Sequence, residues 1–227
     1  MTHYWPISNG TMRDTIGSAD MSQGNATLFT TDRFGCPDSA LALNGGWTQV
    51  PSGFYFNTPQ FTISVWIYPQ QIGFNARVID FGNNGDFIIF RIGNLSRPGL
   101  NMINSSISLG TCTSGISLLD GVWQFLATTF DGSVANIYID GVLTATKSIP
   151  FSLPSLVRVY NYIGKPSNTV HGYSWSYLDD LRFYNKSLTQ AELIQVMTSQ
   201  NVTSCQTTTT STSTTTTTSS KLSFKMK

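Results

Sequence analysis

Trp123-Gln124-Phe125-Leu126-Ala127-Thr128-Thr129-Phe130-Asp131-Gly132 and, a few residues on, Asn136-Ile137-Tyr138-Ile139-Asp140-Gly141 are the stretch that decides the fold. Each run is rich in β-branched and aromatic residues, and each ends in Asp-Gly, a dipeptide that readily takes the positive φ angles of a tight hairpin turn. The chain therefore runs up, turns, comes back and turns again, and Asp131 and Asp140 read as turn formers.

Working outward, further short punctuated runs predict strands over residues 41–43, 47–50, 61–68, 77–81, 87–92, 100–103, 123–130, 137–140, 143–147, 160–164 and 176–184, with Gly- and Asn-rich turns between them. Eleven strands call for two sheets, and the short connections call for antiparallel pairing. In Phe61-Thr62-Ile63-Ser64-Val65-Trp66-Ile67-Tyr68 the side chains alternate. Phe61, Ile63, Val65 and Ile67 share a face that belongs between the sheets, and Thr62, Ser64, Trp66 and Tyr68 share a face of hydroxyls and aromatics suited to a groove. One helix is expected, over 187–197, with Thr189 and Glu192 as a capping box and Leu193, Val196 and Met197 on one stripe, packed on the sandwich edge.

At 227 residues the chain holds one large all-β domain, placed at residues 4–200, and a tail at 201–227. Charged residues are only 11% of the chain, with a net charge of +1, against about 25% in an average soluble protein. No basic field for nucleic acid exists. Apolar runs such as Phe87-Ile88-Ile89-Phe90 are far shorter than the about 20 residues of a membrane helix. The opening residues carry no basic stretch followed by an apolar one, so the chain is expected to be either cytosolic or cut from something longer.

Features that favour the second reading are Asn-X-Ser/Thr acceptors at Asn9, Asn25, Asn94, Asn104, Asn185 and Asn201 and an unbroken Ser/Thr run from Thr207 to Ser220. Such a run cannot bury a core and reads as a disordered, O-glycosylated stalk or an unmodified linker. Cys36, Cys112 and Cys205 have no metal or redox spacing. In a secreted context Cys36 is expected to pair with Cys112, which requires Cα atoms within about 7 Å, leaving Cys205 for a partner in further sequence; otherwise all three thiols are free.

Five pieces in order resemble the laminin G-like jelly roll of the concanavalin A-like lectin/glucanase superfamily over roughly Tyr4 to Thr198. They are Tyr4-Trp5-Pro6 with Asp14-Thr15-Ile16-Gly17, then Ser39-Ala40-Leu41-Ala42-Leu43-Asn44-Gly45 with Gln49-Val50-Pro51, the Phe61–Ile67 strand, the double Asp-Gly hairpin, and the closing run from Tyr177-Leu178-Asp179-Asp180 to Leu193. The resemblance implies a two-sheet antiparallel sandwich of the all-β class and an extracellular setting, and it leaves function open among lectins, glycosidases, adhesion modules and spacers.

Glycosidases of this superfamily typically use two carboxylates flanking the sugar bond, commonly glutamates on one strand. Glu192 is the single glutamate here and lies in the predicted helix, so an enzyme is not expected. The resemblance also implies a structural Ca²⁺ between the opening loop and the acidic pair, with Asp14 and Asp179 as ligands and loop carbonyls completing the shell. In a regular strand only one of Asp179 and Asp180 faces a given side. The other reading makes these aspartates solvated or turn-capping groups. A carbohydrate groove would use aromatic faces and neutral polar groups, for which Trp66, Tyr68, Tyr138, Tyr162 and Trp175 are candidates. The expectation is an extracellular, non-enzymatic recognition module whose partners are glycans or cell-surface proteins. A structural or protein-adhesion domain and a relative of glycoside hydrolases stand as alternatives.

Overall fold

A computed structural model of the chain describes residues 1–71, 75–150, 153–167 and 172–199. The expected stalk, Asn201 and Cys205 lie outside the described residues.

The strands form two antiparallel sheets packed face to face. The first contains β1 (His3–Trp5), β3 (Leu28–Thr30), β4 (Ala40–Ala42), β6 (Phe61–Pro69), β11 (Gln124–Phe130), β12 (Val134–Ile139), β13 (Val142–Ser148) and β15 (Ser176–Tyr184). Its order is β13-β12-β11-β6-β15-β4-β3, with β1 also paired to β15. The second contains β2 (Ser22–Gln23), β5 (Thr48–Gln49), β7 (Ala76–Asn83), β8 (Asp86–Ile92), β9 (Pro98–Asn104), β10 (Ile107–Thr113) and β14 (Tyr160–Ile163), in the order β10-β9-β8-β7-β14-β5-β2. All eleven expected strands are present to within a few residues. β2 and β3 are too short to show a period, and β10 is an edge strand broken by a bulge before Gly110.

Both diagnostic turns form, the second as the expected tight two-residue hairpin and the first as a longer connection over residues 131–133 in which Gly132, at φ +103°, takes positive φ and Asp131 does not. Asp140 and Gly141 have φ of +50° and +76°, the pair of left-handed residues that a two-residue hairpin needs. Asp140 Oδ1 accepts the Phe125 N–H at 2.7 Å, and Asp131 Oδ1 accepts the N–H groups of Ser133 and Val134 at 2.8 and 2.7 Å. Phe61, Ile63, Val65 and Ile67 of β6 are fully buried between the sheets, against Ile79, Phe81, Phe90, Leu100, Ile163 and Phe183. Each such side chain contributes about 1.5–3 kcal/mol, which locks the register of β6.

Helix α1 (Gln190–Thr198) begins with the expected Thr189/Glu192 capping box. It packs on the outer face of the eight-stranded sheet rather than on the sandwich edge. Leu193 is buried there with Phe125, Ala127, Tyr138 and Leu188, with Val196 and Met197 against them. Thr62 anchors the approach to the helix: its Oγ1 donates to the Lys186 carbonyl at 2.7 Å and accepts the Leu188 N–H at 2.9 Å.

Candidate functional site

The outer face of the eight-stranded sheet divides into three zones. Helix α1 closes one. Next to it lies a buried ionic cluster built by a bulge in β15. Asp179 pairs with Trp66 and Arg182 with Ser64, so β15 carries one extra residue across this step, and Asp180 sits at φ +55°. A bulge of this kind brings neighbouring side chains to one side. Both carboxylates accordingly meet Arg33, whose Nη1 reaches Asp179 Oδ2 and whose Nη2 donates to Asp180 Oδ2 at 2.5 Å. Arg182 donates to the other Asp180 oxygen at 3.1 Å and to the Tyr4 hydroxyl at 3.2 Å, and the Tyr4 hydroxyl itself donates to Asp180. Arg33 is also stacked 4.7 Å from the Trp66 ring centre and 4.3 Å from that of Phe34. Burial, and then the neighbouring Asp180 charge, push the Asp179 carboxyl up to about 8 despite the opposing pull of Arg33.

The third zone is a row of rings. Tyr68 of β6 and Tyr177 of β15 are cross-strand partners whose rings stack at 5.3 Å, and Trp123, just before β11, tilts against the far side of Tyr68 at 5.6 Å. Gln70 donates its side-chain amide to the Tyr177 hydroxyl at 2.7 Å. The backbone N–H groups of Gln70 and Gln71 reach the Trp175 carbonyl at 3.0 and 3.3 Å, which fixes Trp175 beside the row with 46% of its surface exposed. Trp175 lies on Gly45, where an added Cβ would come within 2.8 Å of the indole. Leu119 and Val122 are exposed at the margin.

The five aromatic candidates thus separate. Tyr68 and Trp175 come together. Trp66 is half-buried under Arg33, with its Nε1 buried and without a hydrogen-bond partner among the described residues. Tyr138 is 6% exposed beneath α1, so it packs the helix rather than meeting a ligand. Tyr162 is on the other sheet, where its ring and that of Trp47 hold Lys165 Nζ at 4.0 and 3.9 Å. The sequence reading missed Trp123, Tyr177, Gln70 and Arg33. Tyr177 was legible from the alternation of β15, whereas Arg33 comes from a loop distant in sequence.

The two candidate metal ligands are not arranged as a calcium site. Asp14 Oδ1 accepts the N–H groups of Tyr4, Ile16 and Gly17 at 3.0, 3.2 and 2.9 Å, and Oδ2 accepts that of Ala19 at 3.2 Å and lies 2.6 Å from His3 Nδ1. Burial raises its pKa, but these bonds outweigh burial and leave it below the usual carboxylate value. Asp179 faces the Arg33 guanidinium, a fixed cation. Among the described residues no group of three or more His, Cys, Asp or Glu side chains converges to hold a metal. The residues present do not fit calcium in this arrangement.

The Cys36–Cys112 pair does not form. Cys112 is a free thiol buried in β10 and donates to the Ala135 carbonyl at 3.4 Å, and burial pushes its pKa up to about 11. β10 ends the second sheet beside β12 and β13, whereas Cys36 lies between β3 and β4 at the opposite end of the first sheet, which keeps the two apart. Of the glycosylation acceptors, Asn9, Asn25 and Asn185 are exposed and Asn104 is half-buried at the β9–β10 turn. The side chain of Asn94 and all of Asn201 are outside the described residues.

No curated protein matches the chain in sequence. Solved structures match its fold. Domain 4 of AbnA, a GH43 extracellular arabinanase from Geobacillus stearothermophilus seen in complex with arabinotriose, is 19% identical with a TM-score of 0.68 over 86% of this chain and 97% of that one. The binding domain of Paraclostridial Mosquitocidal Protein 1 is 16% identical (TM-score 0.66, 86% of this chain and 51% of that one). The binding domain of botulinum neurotoxin serotype G is 17% identical (TM-score 0.67, 86% and 50%), so the chain spans about half the length of these toxin domains. The family profile described as concanavalin A-like lectin/glucanases superfamily matches residues 43–194, the part that holds the sandwich from β5 to α1, and the chain belongs to that laminin G-like family.

Proposed function

We propose that the chain is a non-catalytic glycan-binding module that works outside the cell, and that the Trp123–Tyr68–Tyr177 row with Gln70 and Trp175 is its sugar-contacting surface. The observation that carries this reading is the row itself. It is an accessible run of rings, with hydroxyl and amide groups beside them, on a sheet face that α1 and the Arg33 cluster otherwise close. Rings supply flat apolar area for the C–H faces of a sugar, and the polar groups beside them bond its hydroxyls. The arabinotriose in the AbnA domain structure supports a glycan partner, and the binding domains among the toxin neighbours support a binding role.

The way the acids are used supports a non-catalytic role. Glu192 is exposed and bonds Lys186 at 2.7 Å and the helix cap. Asp14, Asp80, Asp131, Asp140, Asp179 and Asp180 are each occupied by backbone donors or arginines. Neither arrangement resembles two free carboxylates about 5–9.5 Å apart across a bound sugar.

The test is a glycan array spanning arabino-, xylo- and gluco-oligosaccharides and animal glycans, followed by titration calorimetry on any hit. Tyr68→Ala is expected to weaken binding about tenfold, at about 0.5–1.5 kcal/mol for each lost ring contact. Tyr138→Phe should leave binding unchanged. An array without signal, or binding indifferent to Tyr68→Ala and Trp175→Ala, rejects the assignment.

A further inference from the structure

One end of the sandwich gathers loops whose exposed side chains are aliphatic. The β8–β9 connection, residues 93–97, and the β10–β11 connection, residues 114–123, lie side by side there. The Leu118 N–H donates to the Ser96 carbonyl at 2.9 Å and the Ser114 N–H to that of Pro98 at 2.8 Å, while the Gly121 N–H reaches the Pro69 carbonyl at 2.7 Å, at the end of β6. Leu118 is buried in the core and pins the second loop. Around it Ile116 is 56%, Leu119 59% and Val122 46% exposed, and Leu95 on the first loop is 73% exposed. Trp175, which precedes β15, is exposed at the same end. Single exposed apolar residues are ordinary, but several gathered on one end mark an interaction surface.

Leu95 gains nothing from its position in water. Its φ of +56° and ψ of +33° lie in the left-handed region, which is costly for a leucine. Strain held in a residue that solvent surrounds is a sign of a binding role. The base of the same tip is cationic, with Arg91 and Arg97 on either side of it in sequence. Neither has a carboxylate partner among the described residues. Arg97 Nε is buried without a hydrogen bond there, and Arg91 Nη1 donates to the Asn75 side chain. Asp120 is the one acid of the two loops, so cations exceed acids on residues 91–97 and 114–123.

We propose that this end docks on a lipid bilayer. Leu95, Ile116, Leu119 and Val122 enter the acyl boundary, Trp175 lies at headgroup depth, and Arg91 and Arg97 face the lipid phosphates. A protein interface has its apolar side chains in one closely packed core. Here they stand on separate loops among Ser, Gly and Asn residues, with an indole and two guanidinium groups at the strand ends below them. That is the order of residue types at a membrane interface. The chain would lie on the bilayer by its loops; among the described residues no helix is long and apolar enough to cross one. The four aliphatic residues are outside the ring row, so this inference stands or falls separately from the glycan reading.

The experiment floats the full chain with vesicles of phosphatidylcholine, with and without phosphatidylserine. The parent is expected to float with both and more strongly with the anionic ones. Leu95→Asp combined with Leu119→Asp should reduce the bound fraction at least tenfold while melting with the parent, since both side chains are exposed. Ile107→Asp, at a 69% exposed position beside the β9–β10 turn at the opposite end of the sandwich, should bind as the parent does, and so should Tyr68→Ala. Arg97→Gln should weaken binding to the anionic vesicles about fivefold. Brominated phosphatidylcholine should quench the tryptophan emission of the parent, a reading that holds even if a variant does not fold. The proposal is overturned if the parent floats with neither vesicle, which would leave these loops to a protein partner. It is equally overturned if brominated lipid quenches nothing, or if the double variant floats as the parent does or Ile107→Asp loses as much binding as the double variant.

Discussion

Asp179 and Asp180 show how one extra residue changes what two side chains do. Alternation along a strand separates them, yet the bulge and the positive φ of Asp180 bring both carboxylates onto Arg33. The cost of burying these charges appears in the Asp179 carboxyl, pushed up to about 8 by burial and by Asp180. An acid with its folded pKa above its unfolded value of 3.8 binds its proton more tightly when folded. Its contribution to stability is therefore present at low pH and is lost as pH rises from about 4 to about 8. Asp14 acts oppositely: its lowered pKa stabilises above its unfolded value and that contribution is lost in strong acid. Tm is accordingly expected to rise as pH falls from 8 to about 5, and Asp179→Asn should flatten that slope. A parent protein whose Tm rises with pH over this window, or a variant that keeps the parent slope, contradicts this account of the cluster.

At the scale of elements, the long strands and the helix were legible because each shows its period, whereas the short β4 and β5 were placed by the Asn-Gly-Gly turn between them. β6 alternates over nine residues and places every predicted core side chain, and the capping box of α1 forms as read. What was not legible depends on contacts between distant segments. Nothing in the sequence near Tyr138 says that α1 lies over it, so an aromatic facing outward from its sheet read as a ligand contact. The same lack of tertiary information hid Arg33 behind Trp66 and paired Cys112 with Cys36. The position of α1 leads to a quantitative expectation. Leu193 is fully buried against Phe125, Ala127 and Tyr138, so Leu193→Ala should cost about 2–5 kcal/mol, whereas Thr189→Ala, which removes only the cap, should cost about 1 kcal/mol. Chemical denaturation midpoints give both values. A Leu193→Ala loss no larger than that of Thr189→Ala would mean that the helix does not pack on the sheet as described.

For the whole molecule, the open question left by the family resemblance is whether the first and last strands of the chain are tied together by a metal ion or by the protein's own charges. β1 and β15 are paired, and Tyr4 links Asp14 through its N–H to Asp180 through its hydroxyl. The resemblance puts calcium here. The side chains instead put Arg33 against the acidic pair and backbone N–H groups against Asp14, so the carboxylates that would anchor a calcium ion, which needs six to eight oxygens, already have other partners. Calcium is therefore expected to leave the Tm of the parent protein unchanged relative to EDTA. Removing the guanidinium in Arg33→Ala leaves two buried carboxylates facing one side without their cation, which should lower Tm without metal. Calcium should then restore part of the loss, each 1 kcal/mol recovered being worth about 2–4 °C in a domain of this size. A calcium-dependent rise in the parent that Asp179→Asn abolishes would instead mean that Arg33 yields its place to the ion, and the resemblance would then be the better guide to this site.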